Sequence, residues 1–97
     1  AAKRYAEIAR RMGLAGAPER SLINSLCNRI DELNKQFCIP RTLKEFGIIE
    51  AEFKEKIKKI AELAVGDACT GSNPRGIDPE TMERLFNCIY YGTEVDF

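Results

Sequence analysis

Apolar side chains recur at steps of three and four residues along most of the chain, which is the spacing of one face of an α-helix. Four such stretches, separated by Gly, Pro and polar residues, predict helices over about residues 2–12, 18–37, 50–69 and 79–91. No alternating apolar and polar run of the kind that forms a β-strand is present. The fold class is therefore predicted to be all-α, an assembly of helices like a bundle with short connections.

The same periodicity predicts which side of each helix is buried. The expected apolar faces are Tyr5, Ile8, Ala9 and Met12; Leu22, Ile23, Leu26, Cys27, Ile30, Leu33 and Phe37; Phe53, Ile57, Ile60, Ala61, Ala64 and Ala68; and Met82, Leu85, Phe86 and Ile89. The first two helices, joined by a loop of roughly seven residues, are expected to form a pair.

Local signals mark where several helices begin and end. Thr42 and Glu45 have the spacing of a capping box, followed at once by Gly47, which predicts one short helical turn. Asp78 is a good N-cap for the last helix and Pro79 suits its first position. Gly92 is placed to end that helix, which leaves residues 93–97 as a tail.

Charge argues against several classes of partner. Fifteen basic and fifteen acidic residues cancel, so neither nucleic acid nor an anionic membrane surface is expected as a partner. The lysines of the third long stretch could bind an anion, but each of Glu50, Glu52 and Glu55 precedes a lysine by four residues. That order favours a solvated face paired within its own helix. No apolar run approaches the length of a membrane span, and a cytoplasmic location is expected.

The chain contains no histidine and four cysteines. Without imidazole there is no His general base, no Ser-His or Cys-His nucleophile and no His ligand for zinc. The cysteines form no Cys-x-x-Cys pair, so no metal site is expected within the chain, and reduced thiols are favoured over two disulfides. Cys27 and Cys88 lie on apolar stripes and are predicted to be small buried residues.

The segment from Cys69 to Arg75, here called the 69–75 loop, is polar and turn-forming between two amphipathic stretches. Gly71 and Gly76 have the spacing of a Walker loop, but Ile77 stands where that motif needs Lys, so no nucleotide site is predicted. In one interpretation the loop is structural: its first two residues finish the preceding helix, and Arg75 contacts helix carbonyls. In the other, the loop presents a thiol, a hydroxyl and an amide to a cleft made with another part of the parent protein.

Three separated segments, Arg4 to Ala9, Ile39 to Ile48 and Asp67 to Arg75, closely resemble the C-terminal helical region of iron-containing (group III) alcohol dehydrogenases. The resemblance extends to about Gly92, and the final Tyr-Tyr-Gly looks most like the alcohol dehydrogenase half of bifunctional aldehyde-alcohol dehydrogenases. It implies that residues 1–97 are the C-terminal part of an all-helical metal-binding domain. An NAD(H)-binding α/β domain and the Asp and His ligands of Fe²⁺, or of Zn²⁺ in some members, would lie upstream.

Further expectations follow from this resemblance. In the parent enzyme the metal would polarise the oxygen of acetaldehyde or a similar short aldehyde, or of its alcohol, while hydride passes between the substrate carbon and the nicotinamide of NAD(H). Cys69 and Thr70 are candidates for lining the substrate cleft, with no catalytic, cofactor-binding or metal-binding residue assigned. The fragment alone is expected to be inactive. The remainder of the dehydrogenase would be its partner, in a homo-oligomer or, for bifunctional members, a filament. The alternative is a free-standing helical interaction module.

Overall fold

The computed structural model describes all 97 residues and contains helices but no strand. Its elements are α1 (Ala2–Arg11), α2 (Glu19–Gln36), α3 (Leu43–Phe46), α4 (Glu50–Gly66), a 3₁₀ turn (Thr70–Ser72) and α5 (Pro79–Tyr91). The prediction of an all-α fold is therefore confirmed. The chain divides into two compact units, Ala1–Ile39 and Pro40–Phe97.

The first unit is the pair of helices α1 and α2, which pack on each other as predicted. Its buried residues are Ala6, Ala9 and Leu22, so the covered face of α1 is made of small side chains that allow a close approach. Of the four residues predicted to form the buried face of α1, only Ala9 is buried. The three large side chains of that face remain 45–50% exposed: Tyr5, Ile8 and Met12.

The predicted apolar face of α2 is also only partly covered, with Ile23, Leu26 and Leu33 half-buried. Leu22 is buried, but Ile30 is 50% and Phe37 is 67% exposed. The prediction that Cys27 is buried is wrong, since its side chain is exposed. Ile30 and Phe37 are uncovered because α1 has 10 residues and α2 has 18, so at about 1.5 Å per residue α1 is too short to cover the whole of α2. Cys27 is next to Leu26, which packs on the core, so its exposure reflects the side of α2 on which it lies.

The second unit is built on the packing of α4 against α5. Its buried centre is formed by Phe53, Ile57 and Tyr90, and the rings of Phe53 and Tyr90 stack with centroids 4.4 Å apart. The hydroxyl of Tyr90 donates to the carbonyl of Ile48 at 2.8 Å.

The predicted face of α5 omitted Tyr90 and included Ile89, which is 42% exposed. Cys88, predicted to be buried, is only partly covered.

The predicted caps at Thr42, Asp78 and Gly92 of this unit are confirmed. Thr42 Oγ1 accepts from the Glu45 amide at 3.0 Å, and the Glu45 carboxylate reaches back to the Arg41 amide at 2.9 Å. Asp78 caps α5 by accepting from the amide of Thr81 at 2.7 Å. Gly92 ends α5 in the left-handed conformation, with φ of 73°. The Asp78 cap fixes the start of α5 just after the 69–75 loop, and Gly92 fixes the start of the tail.

Candidate functional site

Helix α4 ends three residues before the 69–75 loop. It was predicted to run to about Cys69, but Gly66 is its last residue and Asp67 is extended, with φ of −67° and ψ of 137°. The Asp67 carboxylate accepts from the amide of Cys69 at 2.8 Å. A short acidic side chain that binds the backbone two residues ahead competes with helix continuation. The prediction that Cys69 and Thr70 finish the helix is therefore wrong.

Thr70 anchors the loop to the end of α4. Its hydroxyl donates to the carbonyl of Ala64 at 2.6 Å, in a partly buried position. That carbonyl lies in the last turn of the helix, where backbone acceptors lack intrahelical partners. Because the hydroxyl proton is used in this bond, Thr70 Oγ1 can only accept a hydrogen bond from another molecule. The methyl group of Thr70 can make apolar contacts.

Cys69 has a fixed backbone and an exposed side chain. Its amide is bound by Asp67, and its carbonyl accepts from both the amide and the hydroxyl of Ser72, at 3.2 and 2.7 Å. The thiol is free, like those of the other three cysteines. The loop therefore holds the Cα of Cys69 in place while it presents the sulfur to solvent.

The second half of the loop is tied to the C-terminal tail. Asn73 Oδ1 accepts from the amide of Arg75 at 3.1 Å, which forms the turn before α5. Arg75 Nη1 donates to the main-chain oxygen of Phe97 at 2.6 Å. The predicted contact of Arg75 with helix carbonyls is therefore wrong, because its acceptor lies in the tail. The guanidinium of Arg84 lies 4.0 Å from the centroid of the Phe97 ring, a cation–π contact on the same tail residue.

A groove of about 470 Å³ adjoins the loop. Its lining, here called the α4 groove, consists of Ile60, Leu63, Ala64, Asp67 and Thr70. Of the two candidate cleft residues, Thr70 borders this groove and Cys69 does not. The role of both in a substrate cleft stays a prediction.

Charged groups near the start of α4 form a local network and not a ligand site. Glu50 Oε1 accepts from the hydroxyl of Tyr91 at 2.6 Å and pairs with Lys54 Nζ at 2.9 Å. The hydrogen bond from Tyr91 is the main reason that the pKa of the Glu50 carboxyl is lowered, with the Lys54 ammonium next. The bond to Glu50 raises the pKa of both Lys54 and Tyr91. The predicted pairing within the helix is confirmed for Glu50 and Lys54.

The residues present do not fit a metal centre. No three or more His, Cys, Asp or Glu side chains come together in an arrangement that could hold an ion, and the sequence has no histidine. No step through iron or zinc can therefore be derived from this chain. None of the helices combines the length and the apolar character that a membrane crossing requires.

Comparison with known proteins places the chain in one family. The profile of the Fe-containing alcohol dehydrogenase family, C-terminal, matches residues 1–90. The chain is 56% identical over 95 residues to the NADPH-dependent butanol dehydrogenase of Clostridium saccharobutylicum, covering 98% of this chain and 24% of that protein. It is 40% identical over 87 residues to the aldehyde-alcohol dehydrogenase of Clostridium acetobutylicum, covering 89% of this chain and 10% of that protein.

A third relative is the lactaldehyde reductase of Escherichia coli, 32% identical over 90 residues that make up 91% of this chain and 22% of that protein. The chain thus spans about a quarter or less of the length of these curated relatives. The resemblance given by the three sequence segments is confirmed, and the identity is higher with the butanol dehydrogenase than with the aldehyde-alcohol dehydrogenase. The chain belongs to the Fe-containing alcohol dehydrogenase family and corresponds to its C-terminal helical part.

Proposed function

We propose that residues 1–97 form the C-terminal part of the metal-binding domain of an alcohol dehydrogenase that interconverts a short aliphatic aldehyde and its alcohol with a nicotinamide coenzyme. The observation that carries this proposal is the family match over residues 1–90. The 56% identity to a relative named for butanol and NADPH supports a short, unbranched substrate. The parent would hold the metal and the coenzyme on polypeptide upstream of Ala1.

The chain's own contribution to the reaction would be to shape one wall of the substrate cleft. Cys69 suits this role because its backbone is fixed by Asp67 and Ser72 while its thiol is exposed. Thr70 offers a methyl group and the lone pairs of a hydroxyl whose proton is bound to Ala64. Both side chains are small and weakly polar, which suits contact with the alkyl chain of an aldehyde more than proton transfer.

The complete reading frame tests the proposed function. The sequence before Ala1 should encode several histidines and a Gly-rich turn from a strand into a helix. The purified gene product, supplied with Fe²⁺ or Zn²⁺, should oxidise NADH or NADPH when acetaldehyde or butyraldehyde is added. A frame that encodes little beyond these residues would contradict the proposal and favour the free-standing interaction module. So would coenzyme oxidation no faster than in an aldehyde-free blank.

A substitution in the loop tests the cleft wall. Cys69→Leu in the complete enzyme should change the ratio of kcat/KM for butyraldehyde to that for acetaldehyde, because one methylene in an apolar pocket is worth roughly 10- to 200-fold in discrimination. The matched control is Cys27→Leu, which alters another exposed thiol, in the α1–α2 unit. If the ratio of kcat/KM values is the same in the wild type and both variants, Cys69 does not line the substrate cleft.

A further inference from the structure

The C-terminal tail, residues 93–97, folds back along the end of α5. Gly92 reverses the chain with φ of 73°, and the amide of Thr93 donates to the carbonyl of Cys88 at 3.2 Å. The Cys88 thiol donates in turn to the main-chain oxygen of Glu94 at 3.5 Å, a weak bond because sulfur is the donor. These contacts give the tail a defined path.

Two arginines from different elements hold Phe97. Arg84 belongs to α5, and its guanidinium lies 4.0 Å from the centroid of the Phe97 ring. Arg75 belongs to the 69–75 loop, and its Nη1 donates to the main-chain oxygen of Phe97 at 2.6 Å. A hydrogen bond from a charged donor is stronger than one between neutral groups, and a cation over an aromatic face is attracted to it. The two contacts explain why Phe97 is half-buried while residues 93–96 are exposed.

A series of hydrogen bonds connects Phe97 to the candidate cleft residue Thr70. Beyond the bond from Arg75 to Phe97, the Arg75 amide donates to Asn73 Oδ1 at 3.1 Å. The amide of Asn73 then donates to the carbonyl of Thr70 at 3.1 Å. Thr70 is itself anchored to α4 through the carbonyl of Ala64. The 69–75 loop is therefore held at both ends, by α4 at its start and by the tail at Arg75.

We propose that Arg75 is a positioning residue for the substrate: by binding Phe97 it fixes the second half of the loop and so keeps Cys69 and Thr70 against the alkyl chain of the aldehyde. This inference rests on the proposed function, because it assigns Arg75 to the same cleft wall. The Arg75 side chain is directed to the tail, so its effect on the substrate is indirect. Butyraldehyde, with the longer alkyl chain, should depend on the wall more than acetaldehyde does.

Arg75→Ala in the complete enzyme tests the positioning role. KM for butyraldehyde should rise by roughly 3- to 10-fold with kcat nearly unchanged, because a wall that contacts the alkyl chain equally in the ground and transition states affects KM alone. KM for acetaldehyde should change less. Arg75→Lys keeps a cation that can donate to the Phe97 oxygen and should restore most of the affinity. The control is Arg41→Ala, at an exposed arginine of the same unit, which should leave both KM values unchanged. An equal loss of kcat for both aldehydes would show general damage to the fold and would overturn the proposal.

Phe97→Ala tests whether Arg75 acts through the tail. This substitution removes the ring that Arg84 holds, so KM for butyraldehyde should again rise. Added to Arg75→Ala, it should have no further effect, because both substitutions release the same residue. Effects of the two substitutions that multiply in KM would mean that Arg75 contacts the substrate or the coenzyme itself, which overturns the positioning role.

Hydrogen–deuterium exchange separates this inference from the proposed function. The amides of Ser72 and Asn73 donate within the loop, so the peptide that contains them should exchange several-fold faster in Arg75→Ala than in the wild type. The peptide that contains the Glu45 amide, which is bound by Thr42, should exchange at the same rate in both. Faster exchange of the loop in an enzyme that turns over no aldehyde would refute the proposed function but support the tie between loop and tail. Unchanged exchange in an enzyme with normal turnover would refute the inference alone.

Discussion

Replacing Tyr90 by Phe removes one hydrogen bond from the second unit and leaves its packing in place. Tyr90 is 1% exposed, its ring stacks on Phe53, and its hydroxyl donates to the carbonyl of Ile48 at 2.8 Å. The Tyr90→Phe variant keeps the ring and the stack. Any loss of stability therefore reports the hydrogen bond and the unpaired carbonyl of Ile48.

The expected loss is set by the net value of one partly buried hydrogen bond. Such a bond contributes about 0.5–1.5 kcal/mol, and an acceptor left without a partner adds to the cost. We expect the free energy of unfolding to fall by about 1 kcal/mol. In a unit of this size each 1 kcal/mol moves the melting temperature by roughly 4–8 °C, so the transition should shift down by about that amount.

Urea and thermal unfolding followed by circular dichroism measure this loss. The urea midpoint of Tyr90→Phe should decrease while the m-value stays constant, because the surface buried on folding hardly changes. An unchanged midpoint would show that the Tyr90 hydroxyl bond contributes nothing net. A lower m-value would show that the ring had moved, and the attribution to one hydrogen bond would fail.

Tyr91→Phe is the matched control, since the next tyrosine is 42% exposed and its hydroxyl binds Glu50. Little loss is expected at neutral pH. The bond from Tyr91 lowers the pKa of Glu50 in the folded state, so the stability it contributes is present above the unfolded pKa of the carboxyl. That stability is lost as the pH falls through the folded pKa. Wild type and Tyr91→Phe should therefore converge on acidification; a difference that grows at low pH would contradict this assignment.

Substitutions at three further positions test backbone conformation. Gly92→Ala should destabilise the second unit by about 1–2 kcal/mol, because φ is 73° and the new Cβ would lie 2.8 Å from Thr42 Cγ2; an unchanged urea midpoint would refute this. Gly71→Ala should be neutral or slightly stabilising, since its φ is not positive and an added Cβ meets nothing within 4 Å. Cys38 has φ of 55°, a left-handed conformation that glycine adopts without strain. Cys38→Gly should therefore raise the free energy of unfolding of the first unit by up to about 1 kcal/mol, and its urea midpoint with it. Cys38→Ala keeps the strained backbone and should leave the midpoint unchanged.

Local signals in the sequence were sufficient for the fold class and for most helix boundaries. The caps at Thr42 and Asp78 form as predicted because each depends on residues three positions apart, whatever surrounds them. The end of α4 was missed because the side chain of Asp67 competes with the helix for the Cys69 amide. An acidic residue directly after Gly66 was the available signal for that ending.

Burial could not be predicted equally well, because periodicity identifies an apolar face but not the part of it that a partner covers. Ile8 and Cys27 lie on apolar stripes and are exposed, since the α1–α2 pair covers only part of each helix. Tyr90 follows Phe86 by four residues and so continues the predicted stripe, but the prediction ended the stripe at Ile89; its ring is buried against Phe53. For the loop, the residues alone left a structural and a cleft-lining interpretation open, and Cys69 and Thr70 became the candidates for a substrate cleft through resemblance to a family.

The bond between Tyr90 and Ile48 joins residues 42 positions apart, which has a consequence for biosynthesis. On the ribosome, Phe53 and Ile57 emerge well before the tyrosine that will cover them. The contacts between α1 and α2 join residues close in sequence, so this pair can assemble while translation continues. The second unit cannot pack until Tyr90 has been synthesised, and Phe53 and Ile57 remain uncovered until then. That interval is when a nascent chain of this kind is most exposed to aggregation and to capture by chaperones.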